Sequence, residues 1–130
     1  MSVLIEQFKQ SFKYTGRLSV SDFRRWSAWL LLIFILTYIA HLYAVHVLDN
    51  YGGSSINAVT GVFVFYATLL LVYVFLMFAI MSALIRRHHD MGRNGWFSVL
   101  CFLPYIGVGY WIYLLCAKGT QGPNAYGPPA

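Results

Sequence analysis

Charge is what this sequence lacks. Asp, Glu, Lys and Arg make up 10% of its 130 residues, against about 25% in an average soluble domain. Hydrophobic residues reach 59%, and the mean hydropathy is +0.63. A soluble fold of this size has too much surface to cover with so few polar groups. Composition therefore excludes an ordinary soluble domain and points to a bilayer. The length leaves room for a single domain, 1–130. Acid is scarcer than base, so the formal net charge is +5 and the pI about 9.4. No basic segment is long enough to form a groove-reading element, which argues against nucleic acid as a partner. The basic residues instead flank apolar runs, where membrane topology and attraction to anionic headgroups account for them.

Other chemistry is absent as well. Cys101 and Cys116 lie in one apolar run. On a helix they would stand about 22 Å apart, too far for a disulfide, so they read as small buried hydrophobes. No nucleophile has a local base beside it. His88 and His89, being adjacent on a helix, point about 100° apart and do not converge as an i, i+4 pair would. No second metal-ligand cluster exists, so neither an enzyme nor a metal or other cofactor is expected. The first apolar run begins after about 25 polar and amphipathic residues and exceeds the 7–15 residues of a signal-peptide core, so it reads as an uncleaved anchor.

Long apolar runs are what the chain does have. Leu4, Ile5, Phe8 and Phe12 recur at helical spacing. They predict an amphipathic helix over 2–13, either lying in the membrane interface or packed on the rest of the protein. Gly16 breaks that pattern, and Ser19 with Asp22 offers a capping box that starts a helix near Val20. A first span is expected over 26–48 and a second over 58–84, separated by a loop of turn-forming residues that begins at Asp49. A third apolar stretch, 96–116, contains Pro104 and Gly107. It forms either a kinked third span or a re-entrant hairpin whose halves are each too short to cross; three spans are the expectation. The tail, 118–130, holds three glycines and three prolines and cannot be a regular helix. The expected fold is thus an all-α integral membrane bundle of three spans with an N-terminal interfacial helix.

Basic residues give the orientation. Lys9, Lys13, Arg17, Arg24 and Arg25 precede the first span, and Arg86, Arg87 and Arg93 follow the second, while the first loop has none. The positive-inside rule places the N-terminus and the 86–95 loop in the cytoplasm of a multi-pass inner-membrane protein. A third span would put the tail outside, and a re-entrant segment would return it to the cytoplasm.

The polar segments carry a pattern. Arg86-Arg87-His88-His89-Asp90-Met91-Gly92-Arg93-Asn94-Gly95-Trp96 resembles the signature of the domain-of-unknown-function 805 family, small and predominantly bacterial inner-membrane proteins. Gly119 to Pro128 resembles that family's closing motif. Phe12-Lys13-Tyr14-Thr15-Gly16-Arg17, followed by Ser19, Asp22 and Trp26, resembles its N-terminal mark. Val20 and Gln121 stand where a basic residue and a proline are usual, and the chain ends Gly-Pro-Pro-Ala rather than Gly-Pro-Asp-Pro. The resemblance implies a membrane location and a shared fold, and brings no activity.

Arg86, Arg87, His89, Asp90 and Arg93 form the candidate site, with three readings. Asp90 pairs with an arginine or with backbone amides while Gly92 and Gly95 allow a tight turn. Alternatively the arginines hold a phosphate, with an anionic phospholipid as the candidate ligand. In the third, His88, His89 and Asp90 do acid–base or metal chemistry. His41 is a candidate intramembrane polar site, or else a neutral imidazole bonded to a neighbouring helix. Besides the lipid bilayer, the partners expected are further copies of the chain or another membrane protein. The chain then reads as a structural or accessory membrane protein, or as an oligomeric small channel or transporter.

Overall fold

The computed structural model describes Ile5, Lys9 and residues 13–51 and 56–130. The interfacial helix expected over 2–13 lies, apart from Ile5, Lys9 and Lys13, outside the described residues. Helix α1 runs Val20–Tyr51 and α2 runs Ile56–Asp90. A 3-10 helix, Gly95–Phe102, and a short α3, Ile106–Cys116, follow. Among the described residues there is no strand, and one antiparallel bridge joins Asn124 to Gly127. Both long helices have the length and apolar composition needed to cross a membrane.

Local chemistry sets the ends. The hydroxyl of Ser19 accepts from the amide of Asp22 at 3.2 Å and donates to its carboxylate at 2.9 Å, so α1 starts where the capping box places it. α2 stops in a Schellman motif. The Arg93 amide donates to the His88 carbonyl at 2.9 Å and the Gly92 amide to that of His89 at 3.0 Å, with Gly92 left-handed at φ +69°. The Asn94 side chain then accepts from the Trp96 amide at 3.1 Å and caps the 3-10 helix.

The stretch 96–116, expected as a kinked span or a hairpin, forms two separate helices. Pro104 cannot donate to a helical ladder, and the Ile106 amide instead bonds the Pro104 carbonyl at 2.8 Å, around Tyr105 at φ +65°. This positive-φ γ-turn reverses the chain. The halves then pack so closely that a Cβ on Gly107 would lie 2.3 Å from the carbonyl oxygen of Cys101. Both ends of the segment meet the last turns of α2: Gly95 sits against Ile85 and His89, and the Leu114 carbonyl accepts from Arg87 at 3.1 Å.

The chain packs as two compact units. Trp29–Leu76 forms a helical hairpin. In it Tyr73 donates to Thr37 at 2.9 Å, and its ring stacks on Phe34 at 6.1 Å. Large apolar residues such as Phe63, Leu70 and Leu71 are more than 60% exposed there, a surface that suits lipid and not water. The other unit joins the described residues through Ala28 with Met77–Ala130. Its core holds Phe23, Trp26 and Trp111, with ring centroids 5.5–6.4 Å apart, beside buried Leu84 and Leu114.

Candidate functional site: an arginine–aspartate knot

Asp90, the last residue of α2, is the hub of the second unit. One carboxylate oxygen accepts from Arg17 Nε at 3.0 Å, and the other from Arg87 Nη1 at 2.6 Å. Its backbone carbonyl accepts from the Thr120 amide at 2.8 Å and the Thr120 hydroxyl at 2.9 Å. The side chains of Arg17, Arg87 and Asp90 are at most 5% exposed. A carboxylate held by two guanidiniums in so dry a place has its charge compensated and its lone pairs used.

The two arginines spend their remaining donors on backbone carbonyls. Arg17 Nη1 reaches Gly122 at 2.7 Å and Nη2 reaches Thr120 at 2.6 Å, so it holds the tail. Arg87 Nε bonds Leu114, Nη2 bonds Ala117, and Arg24 Nε bonds Leu115 at 2.6 Å. α3 carries no basic residue in its last turn. Arginines from α1 and α2 therefore supply the donors and the positive charge that its terminal carbonyls need. Burial pushes the Arg87 pKa down from its ordinary value, while Asp90 acts in the opposite direction.

The N-terminal segment closes the knot from another side. The Leu18 amide donates to the Arg86 carbonyl at 3.0 Å, and Ser82 donates to the Lys13 carbonyl at 2.8 Å. Asn124 donates to the His89 carbonyl at 2.9 Å, and the Tyr126 ring lies flat on the His89 imidazole at 3.9 Å. The N-terminal, central and closing segments thus meet around one carboxylate. The profile of the family described as Protein of unknown function (DUF805) matches residues 11–128, which takes in all three.

The chain belongs to the DUF805 family. It is 43% identical over 51 residues to the Inner membrane protein YhaI of Escherichia coli K12, covering 37% of this chain and 41% of that one. It is 42% identical over 43 residues to the Inner membrane protein YhaH of the same strain, covering 33% and 36%. The chain thus spans about two-fifths of the length of the relatives it matches. No solved structure matches. The family, its relatives and the two long apolar helices together make this a membrane protein.

Within the DUF805 signature the histidines differ. Arg86 to Asp90 lie past the uncharged stretch of α2, which ends at Ile85. His88 is fully buried. Its Nδ1 donates to the Leu84 carbonyl at 2.7 Å, so the neutral ring's Nε2 accepts from the Tyr110 hydroxyl at 3.0 Å. His89 Nδ1 lies 3.2 Å from the Gly16 carbonyl. Burial lowers both imidazole pKa values below the ordinary range. Arg93 projects outward with its guanidinium 5.3 Å over the Tyr113 ring, while Arg86 is buried and bonds Ser82 at 3.4 Å. His41 belongs to the other unit, where Nδ1 lies 2.8 Å from the Tyr66 hydroxyl. Sequence reasoning grouped Arg86 with Arg87 as equals and left out Arg17, Thr120 and Asn124. The family resemblance held the missing signal, because it marked those segments without saying that they touch.

Proposed function

We propose that this protein is a non-enzymatic structural or accessory subunit of an inner-membrane assembly, in which the knot fixes a rigid cytoplasmic platform at the end of two spans. One observation carries the reading. Arg17, Arg87 and Asp90, all buried, spend their side-chain donors and acceptors on each other and on backbone carbonyls of α3 and the tail. Groups so employed hold chain segments together, whereas catalysis needs a nucleophile or base free to meet substrate. The chain crosses twice in this reading, over about 26–48 and 58–84, and residues 95–116 enter and leave from the cytoplasmic side. Every Lys and Arg then lies on that side, in keeping with the positive-inside rule.

The deciding experiment is native mass spectrometry of the protein extracted in gentle detergent. The accessory role expects a chain that carries another membrane protein. A defined homo-oligomer with nothing else bound would overturn it in favour of a pore. One feature favours that second reading: a groove of about 590 Å³ lined by Thr37, His41, Tyr66 and Tyr73 inside the hairpin unit. In a pore, His41→Leu would alter flux through reconstituted protein; in an accessory subunit it would leave the assembly intact.

A further inference from the structure

A second groove, of about 370 Å³, opens beside the knot, in the unit that contains it. It runs along the last turns of α2 and is graded from apolar to polar. Met81 and Ile85, with Val99 of the 3-10 helix, form its apolar floor. Tyr14, His89, Asn94 and Trp96 stand at its polar end. Met81 and His89 are two helical turns apart, about 12 Å, so the gradient follows α2 from its apolar stretch toward its charged end.

The polar end presents donors that are not spent within the protein. Asn94 uses its carbonyl oxygen to cap the Trp96 amide, which leaves its amide nitrogen uncommitted to the cap. Among the described residues, no hydrogen bond joins that nitrogen, the Tyr14 hydroxyl or the Trp96 indole nitrogen to a partner. Trp96 is 80% exposed. Three neutral donors around one opening suit an acceptor-rich anion. Tyrosine and tryptophan favour the depth at which phospholipid phosphates lie. Gly95 keeps the groove tight, since a Cβ there would sit 2.8 Å from Ile85 and 3.4 Å from His89 Nε2.

We propose that this groove binds one phospholipid, with its phosphate held by Tyr14, Asn94 and Trp96 and an acyl chain lying on Met81, Ile85 and Val99. The site differs from the Arg86–Arg87 cluster, whose bonds run to the protein itself. An anionic headgroup fits best, given the net charge of +5. The inference needs the membrane location and neither choice of overall role.

The test is titration of the purified full-length chain with phosphatidylglycerol, read by native mass spectrometry. Asn94→Asp keeps the capping oxygen and replaces the donor with a carboxylate that repels phosphate. A single retained lipid is expected, and N94D should weaken it by about tenfold or more. Tyr14→Phe removes one donor, touches no cap, and should weaken it severalfold; it decides the matter if N94D does not fold. Glycerol phosphate, the headgroup without tails, should not displace the lipid at equal concentration. Equal retention by wild type and Y14F, or by wild type and folded N94D, would overturn the site. Displacement by glycerol phosphate would make it a site for free anions and would overturn the lipid assignment.

Discussion

At the scale of single residues, the energetic asymmetry of buried ion pairs decides what matters. Bringing Arg17, Arg87 and Asp90 out of water costs several kcal/mol per ion, and their mutual attraction roughly offsets that. Removing one partner leaves the cost without the offset. Asp90→Asn preserves shape and one acceptor but strands two buried guanidiniums. The expected loss is about 3–5 kcal/mol, seen as a lower melting midpoint in detergent; an unchanged midpoint would refute the hub. The histidines give a second, independent handle. Burial lowers the folded pKa of His88 and of His89 below the ordinary value. The unfolded chain therefore takes up protons first as pH falls. Their contribution is complete above about 6.5, the unfolded value, and is lost as pH drops from there toward the folded values. The melting midpoint should be flat from about pH 7 to 8 and decline below about 6.5. His88→Gln should remove part of that slope and leave the share due to His89.

At the scale of elements, some boundaries are written in local chemistry and others are not. The start of α1 at Val20 follows from Ser19 and Asp22, and the end of α2 follows from Gly92, because caps depend on residues within a few positions. The segment 96–116 is different. Pro104 and Gly107 permit a kink and a hairpin alike. The choice falls to the hairpin because Arg87 and Arg24, distant in sequence, satisfy the carbonyls of Leu114, Leu115 and Ala117. No window along the chain contains that information. Asp90 was legible as an arginine partner, but Arg17, 73 positions away, was not. The hairpin itself makes a sharp claim. A Cβ on Gly107 would meet the Cys101 carbonyl at 2.3 Å, whereas one on Gly109 would meet nothing within 4 Å. Gly107→Val should therefore destabilise by about 1–3 kcal/mol, the range for overpacking, while Gly109→Val on the same helix stays near wild type. A continuous kinked span would make the two substitutions equivalent in thermal denaturation.

At the scale of the whole molecule, the same contacts bear on which side of the membrane each segment lies. The tail is tied to α2 by the Thr120 amide on the Asp90 carbonyl and by Tyr126 on His89, and to the segment before α1 by Arg17 on Gly122. Arg17 precedes α1 and Asp90 ends α2, so a chain that crosses with these two helices alone brings both residues to one face, and the tail with them. A third crossing would carry Lys118 to Ala130 to the opposite face and pull every one of those bonds apart. Basic residues do not decide the matter, since Lys118 is the only one that changes side. A reporter fused after Ala130 does decide it. A fluorescent protein that matures only in the cytoplasm should be bright there, and a phosphatase active only outside should be silent. The opposite pair of signals would mean three crossings and would dissolve the knot as a feature of the membrane-embedded protein. With the Arg17→Gln chain the reporters should still read cytoplasmic if the chain crosses twice, because Arg87 and Arg24 hold the end of α3 independently of the tail clasp.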